Sequence, residues 1–381
     1  MSKKINILFL CGWYPSRILP NNGDFIQRHA EAVALKNNVT VLHIISDPSL
    51  KKNTEITTHQ KNNVKTHIAY IKKTSNPFLK VLLYCLAFLK ILQLIPKIEI
   101  VHLNSTYPFG VFALFLKFKN KTPYIITEHW TNYQSPKNKN ISYIHKRISV
   151  LITKNASIIC PVSKNLSDHM ITFGLKGNYQ DVPNVVDTLV FSKPKTSNSI
   201  FKILHVSSLK DDHKNISGIL NVILNLQNRI QNFEVTIVGS APQDYIVKSK
   251  KLGIKNQYIN FIDHLSQEEL SVHYSNADLF ILFSNYENLP CVILESFSSG
   301  TPVISTDVGG ISEYFPEGFG SLIRKNSETQ LFNEILKYYN DEIKVASFEA
   351  MNNYVEQNFS PRAISNIFEE KYKHVLNHFQ N

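Results

Sequence analysis

The chain has 381 residues, more than one comfortable core holds and suited to two domains of ordinary size. Hydrophobic residues make up 43% and charged residues 19%, which excludes a disordered chain. A formal net charge of +11 favours an anionic partner, and with no zinc-finger spacing, RNA-binding signature or long arginine-rich tract, acidic lipid or a phosphate-bearing substrate ranks ahead of nucleic acid.

Residues 5–10, INILFL, predict a buried first strand. The preceding basic start is followed by too short an apolar run for a secretory signal, which places the chain in the cytoplasm. Asn22-Gly23 predicts a tight turn, and DFIQRHAEAVALKN behind it spaces Phe25, Ile26, Ala30, Val33 and Ala34 as a helix does. VTVLHII (39–45), IEIVHLN (98–104), PYIITEH (123–129) and ASIICPVS (156–163) are further strands. Residues 78–95, FLKVLLYCLAFLKILQLI, are interrupted by Lys80, Lys90 and Gln93, so a transmembrane span is not expected. Two readings remain for them: a buried helix, or an amphipathic helix resting on an anionic membrane with Lys72, Lys73 and Lys97 alongside.

SKPKTSNSI (192–200) is polar and aperiodic and predicts a linker. A second strand series follows: FKILHVSS (201–208), FEVTIVGS (233–240), YINFID (258–263), ADLFILFS (277–284), TPVISTD (301–307) and GSLIR (320–324). Ser266 with Glu268 and Glu269 marks a helix start, and SPRAISNIFEEKYKHVLNHF is a closing amphipathic helix. The expected domains are 1–191, a linker 192–200, 201–360, and a C-terminal helix 361–381 packing back on the first domain. Such alternation argues for parallel α/β sheets, with ligands at the carboxyl ends of the strands. Cys11, Cys85, Cys160 and Cys291 sit in apolar stretches without a C-x-x-C pair and are expected as buried free thiols.

The strongest constellation is 277–310, ADLFILFSNYENLPCVILESFSSGTPVISTDVGG. A strand ends at Ser284, a polar turn carries Glu287, and a helix carries Glu295 before Gly300 and Thr301-Pro302 stop it. A turn carboxylate can accept from sugar hydroxyls, a helix carboxylate can chelate a ribose diol, and N–H groups of Asn288, Leu289 and Pro290's following turn can meet a diphosphate.

This segment resembles the Glu-x7-Glu signature of retaining GT-B glycosyltransferases of family 4. PNVVDTLVF (183–191) is similar to that family's segment closing the first domain, with Val185 in place of a glycine. The resemblance implies the GT-B fold, α/β with two Rossmann-like doubly wound domains facing across a cleft. It implies transfer from a nucleoside-diphosphate sugar to a glycan or lipid-linked acceptor with retention, without a metal or other cofactor, in cell-surface polysaccharide or lipopolysaccharide synthesis. If residues 78–95 rest on a membrane, the positive net charge suits an enzyme at the inner face of the cytoplasmic membrane.

Residue by residue, the resemblance assigns Glu287, Lys214 and His129 to catalysis and Glu295 to the donor's ribose. Gly23, Asn288, Leu289, Pro290, Gly309 and Gly310 would line the donor, and His264 and Leu265 would meet the base through their backbone. The family's arginine place holds Ser208, a departure, with Lys210 and His213 as candidate compensating cations. Glu128 would orient His129, His102 is structural, and Glu313 would open a helix. One rival is a catalytically weak or inactive sugar-nucleotide-binding protein of the same fold, for which Ser208 argues. Other rivals are an epimerase or phosphorylase of that fold and, on charge alone, a nucleic-acid-binding protein.

Overall fold

Alternating apolar strands and amphipathic helices can bury both sheet faces only by winding helices on each side. The computed structural model describes residues 4–95, 97–192 and 199–379. Contacts divide it into unit 1, Met1–Val185 with Pro361–Asn381, and unit 2, Val186–Ser360. Most of the expected 192–200 linker, residues 193–198, lies outside the described residues. Val186 already belongs to unit 2, where its N–H donates to Phe359 O at 2.9 Å and the nearby Phe191 ring packs on Tyr274. The division therefore falls before Phe191, after Val185, because Val185 packs in the unit 1 core whereas Val186 is tied to unit 2.

Unit 1 runs β1 (Asn6–Cys11), α1 (Asp24–Ala34), β2 (Asn38–Asp47), β3 (Thr54–Lys61), β4 (Val64–Lys72), α2 (Pro77–Leu92), β5 (Ile100–Asn104), α3 (Gly110–Asn120), β6 (Tyr124–Glu128), α4 (Tyr143–Asn155), β7 (Ile158–Pro161) and α5 (Lys164–Phe173). Its sheet order is β3-β4-β2-β1-β5-β6-β7, parallel except for the β3–β4 hairpin. The order reverses at β1, so the loops after β1 and β5 open at the topological switch point. Alternate residues of the strands, among them Phe9, Val41 and Ile125, share one core with α1 and with Ile364, Phe368 and Tyr372 of the C-terminal helix Pro361–Phe379. His102 lies in that layer, its Nδ1 2.6 Å from the Tyr372 hydroxyl.

Unit 2 runs β8 (Phe201–Val206), α6 (Asp211–Lys214), α7 (Ile216–Leu226), β9 (Phe233–Val238), α8 (Gln243–Leu252), β10 (Ile259–Ile262), α9 (Gln267–Asn276), β11 (Leu279–Leu282), α10 (Cys291–Ser298), β12 (Val303–Thr306), β13 (Gly320–Ile323), α11 (Glu328–Tyr339) and α12 (Phe348–Phe359). Its sheet is wholly parallel, in the order β10-β9-β8-β11-β12-β13. Ser266 and Glu269 close a capping box at α9, satisfying N–H groups that the first helical turn leaves orphaned. Two expectations are corrected. Glu313 opens only a single 3-10 turn, Ser312–Tyr314. Of the cysteines, Cys11 and Cys160 are buried but Cys85 is exposed and Cys291 intermediate. Cys85 is exposed because α2 is apolar on its outward side too, so an apolar neighbourhood in sequence does not bury it.

Candidate functional site

At the carboxyl end of the unit 2 sheet, β11 runs into a turn that three neighbouring segments hold. Thr306 Oγ1 donates to Ser284 O at 2.7 Å, and Asn285 donates its N–H to His213 O at 2.7 Å and its side-chain amide to Asp212 O at 3.3 Å. Gly310 N–H donates to Asn288 O at 2.8 Å. Gly309, at φ +64°, lies so close that an added Cβ would stand 1.9 Å from Glu287 O. Only a residue without Cβ fits there.

This frame fixes the Glu287 side chain. Ser284 Oγ donates to Glu287 Oε1 at 2.7 Å, and Lys214 Nζ pairs with the same oxygen. Both partners are largely shielded, with side-chain exposures of 17% for Lys214 and 8% for Glu287, so the pair is screened less than a surface one. Lys214 reaches this position because α6 is a single turn ended by Asn215 at φ +50°. The Asn215 side chain then caps α7 by accepting from Gly218 N–H at 3.2 Å.

Behind the turn, α10 starts after Pro290 with no side chain capping its first turn, the arrangement in which backbone N–H groups and the helix dipole favour an anion. Glu295, on α10, is 2% exposed, and the Tyr274 hydroxyl donates to its Oε2 at 3.3 Å. A cavity of about 300 Å³ opens at the ends of β12 and β13, lined by Asp307, Leu322, Ile323, Arg324, Lys325 and Gln330.

Ser208 stands exposed in the loop after β8. That loop is built on His205, whose Nδ1 donates to Ile281 O at 2.9 Å while Nε2 meets Ser207 Oγ at 2.8 Å. Burial pushes the His205 imidazole down to about 4, and the Lys214 charge adds to this, so the ring is neutral at pH 7. Of the two compensating candidates, Lys210 is exposed at the start of α6, and the half-buried His213 ring lies 5.9 Å from Tyr286 and 3.6 Å from the Asp212 carboxylate. Another cation, Lys325, holds its Nζ 4.0 Å from the centre of the Tyr286 ring. His264 and Leu265 lie in the separate loop after β10, three strands from β11, where His264 N–H donates to Asp263 Oδ1 at 2.7 Å.

The remaining expected residues belong to unit 1. Gly23, at φ +79°, starts α1, and a Cβ there would stand 2.7 Å from the Trp13 carbonyl carbon. Arg17 ties the same loop down, with its guanidinium 3.8 Å from the Tyr70 ring centre and paired with Asp47 at 2.8 Å. His129 packs its ring 4.5 Å from Phe25 and 5.5 Å from His29. Burial holds His29 down to about 4 and His129 well below its ordinary range, so both rings are neutral. Glu128 turns inward and accepts from Thr106 N–H at 2.8 Å, Thr106 Oγ1 at 2.7 Å, and the N–H groups of His129 and Trp130 at 3.0 Å each. It thereby sets the 128–130 turn, although burial still raises its pKa.

Thus Lys214, Glu287, Asn288, Gly309 and Gly310 converge in unit 2, with Pro290 and Leu289 leading into α10 and Glu295 beneath. Ser284 and Tyr274 complete the group without a sequence signal of their own, except that Ser284 stands three residues before Glu287, a spacing at which a hydroxyl closes a local turn.

Comparison with known proteins adds family and fold. A family profile described as "Glycosyl transferases group 1" matches residues 190–358, and one described as "Glycosyltransferase Family 4" matches residues 29–189. An alpha-monoglucosyldiacylglycerol synthase from Acholeplasma laidlawii is 22% identical over 240 residues, 55% of this chain and 58% of that protein. The chain thus matches little over half of that relative's length. TuaC of Bacillus subtilis, a glycosyltransferase assigned to teichuronic acid biosynthesis, is 25% identical over 89% of this chain and 90% of its own. Among solved structures, Anabaena Alr3699/HepE in complex with UDP and glucose superposes with a TM-score of 0.75 at 18% identity, covering 97% of this chain and 99% of that one. At that identity the likeness establishes a shared fold.

Proposed function

From a chain that belongs to the group 1 glycosyltransferases and has their GT-B fold, we propose an enzyme that moves a sugar from a nucleoside-diphosphate donor to a glycan or lipid-linked acceptor with retention of anomeric configuration. The observation that carries this reading is the Lys214–Glu287 pair, set in a glycine-framed turn at the mouth of α10. The UDP and glucose bound by HepE support a sugar nucleotide as donor, and the glucosyldiacylglycerol synthase and TuaC support an acceptor in cell-envelope lipid or polysaccharide synthesis.

The donor diphosphate sits against the N-terminus of α10 and takes the Lys214 ammonium, leaving the Glu287 carboxylate to accept from sugar hydroxyls. The bond between the anomeric carbon and the β-phosphate oxygen breaks, and negative charge grows on that oxygen. Lys214 and the dipole of α10 stabilise it in place of a metal. The acceptor oxygen bonds to the same face of the sugar, and its proton passes to the departing phosphate oxygen. Neutral His129 offers a hydrogen bond to a sugar or acceptor hydroxyl without adding charge. Asn288, Gly309 and Gly310 contribute backbone groups, and Glu295 holds the ribose diol.

Glu287 and Glu295 then have separable jobs. Glu287→Gln should lower kcat by roughly 100-fold or more with donor KM little changed. Glu295→Gln should raise donor KM about tenfold, the effect of weakening one charged hydrogen-bonding group. Steady-state kinetics with UDP-, GDP- and ADP-sugars check both, and equal, negligible losses at the two positions would sink the assignment. Chelation by EDTA should leave turnover unchanged. The exposed Ser208, where the family carries a cation, favours a second reading, a weak or inactive sugar-nucleotide-binding protein. Tight donor binding without acceptor-dependent release of nucleoside diphosphate would select it.

A further inference from the structure

The positive charge of the chain is confined to one stretch of unit 1. Residues 56–167 hold 16 lysines and arginines against two acids, Glu99 and Glu128, whereas the remainder holds 25 basic and 28 acidic residues. The acids offset little of the excess at the surface: Glu128 is buried among four donors, and among the described residues Glu99 pairs only with Lys97, at 3.2 Å. The same stretch carries 13 of the 21 large hydrophobic side chains exposed among the described residues. Charge and exposed apolar area coincide.

Twelve of those 13 side chains and seven of the 16 cations lie on α2, α3 and α4, which pack side by side. Phe88 of α2 stacks on Phe112 of α3 at 4.2 Å, and Lys117 of α3 donates to Asn155 O at the end of α4 at 2.6 Å. Helix α2 buries Leu83, Ala87, Phe88 and Ile91, yet its outward side presents Phe78 (86% exposed) ahead of Lys80, and Val81 (63%) and Leu82 between Lys80 and Lys90. On α3, Phe118 is 68% exposed between Lys117 and Lys119. On α4, Tyr143 and Ile144 are about 70% exposed, with the Arg147 guanidinium 5.8 Å from the Tyr143 ring centre. Apolar side chains interleaved with cations suit an interface where stems insert and ammonium groups remain at headgroup level. Among the described residues no helix is long and apolar enough to cross a membrane, and the 16 residues of α2 rise only about 24 Å.

We propose that the α2–α3–α4 face of unit 1 docks in the plane of an anionic lipid bilayer. The docking is independent of the transferase reading, since none of these side chains belongs to the unit 2 site.

The test uses full-length protein and vesicles of phosphatidylcholine, with or without about one third phosphatidylglycerol, at low salt. The protein should sediment with the anionic vesicles only, and about 1 M salt should release it by shortening the screening length to about 3 Å. Lys80→Gln with Lys90→Gln should weaken partition roughly 25-fold, about 1 kcal/mol per lysine. Phe78→Ser with Leu82→Ser should abolish sedimentation, whereas Val247→Ser with Val272→Ser, exposed in unit 2, should leave it intact. An environment-sensitive fluorophore on Cys85, exposed on α2, should shift to shorter wavelength on the anionic vesicles. Absence of wild-type sedimentation, equal binding to neutral vesicles, or an unshifted Cys85 probe on sedimented protein would each overturn the proposal. So would a dimer in solution that Phe78→Ser with Leu82→Ser dissociates, since the face would then serve a second copy.

Discussion

At the scale of single residues, the site depends on backbone approach as much as on charge. Gly309 sits at φ +64°, and its missing Cβ leaves room for Glu287 O, which a methyl group would meet at 1.9 Å. Gly309→Ala must therefore open the turn that aims Glu287, besides adding about 1 kcal/mol of left-handed strain. We expect activity to fall at least as far as in Glu287→Gln, with a lower Tm; Tm and turnover both unchanged would show that the turn yields freely. The glutamate pair and Gly309-Gly310 were legible because their spacing along the chain carries the pattern. Ser284 offered only its three-residue spacing to Glu287, and Tyr274 and Lys325 offered nothing, because these two meet their partners through the fold: Tyr274 reaches Glu295 from α9, and Lys325 reaches Tyr286 from beyond β13. Glu295 keeps its expected place on the helix, and tertiary packing leaves it 2% exposed.

At the scale of elements, strands buried on both faces announced themselves as continuous apolar runs, and the parallel core of both sheets follows from them. The β3–β4 hairpin did not. Thr54–Lys61 is an edge strand that reads TEITTHQK, almost without apolar residues, and its partner supplies the packing. The available signal was Asn62-Asn63, both at positive φ, the two-residue turn that joins right-twisted antiparallel strands. The C-terminal helix was legible by its 3.6-residue periodicity, but its role required the fold. Ile364, Phe368 and Tyr372 complete the unit 1 core against α1, and Phe368 also packs 4.9 Å from the His102 ring. Phe368→Ala should accordingly destabilise unit 1 by about 3–5 kcal/mol. Denaturant unfolding followed by hydrogen exchange should show the loss in peptides of β1, β5 and the C-terminal helix while peptides of β8 and β9 keep their protection. An unchanged midpoint would mean the helix is only draped over the sheet.

At the scale of the whole molecule, the two units differ in the titratable groups they bury. In unit 1, burial holds His29 and His43 down to about 4 and His102 and His129 well below their ordinary range, and it lowers the buried His67 as well. Unit 2 encloses His205, likewise held down to about 4, and burial lowers the partly exposed His273. These rings are neutral in the fold and charge at about 6.5 once unfolded, so the unfolded chain binds more protons between those values. The stabilisation is present above about pH 6.5 and drains as the pH falls toward 4. At pH 5 each ring held near 4 has given up about 2 kcal/mol. His29 and His43 together take about 4 kcal/mol from unit 1, a large part of a domain's stability, with His102 and His129 acting in the same direction, and His205 takes about 2 from unit 2. Glu128 works the other way, because its raised pKa favours the protonated fold on acidification, but it is one group against several. Acidification from neutral pH should therefore open unit 1 first. Hydrogen exchange read by mass spectrometry at pH 7 and pH 5 should show β1, β5 and β6 losing protection, after correction for intrinsic rates, while β8, β9 and β11 retain theirs. Simultaneous loss in both sheets, or earlier loss in unit 2, would mean that the buried imidazoles do not set the acid limit of this fold.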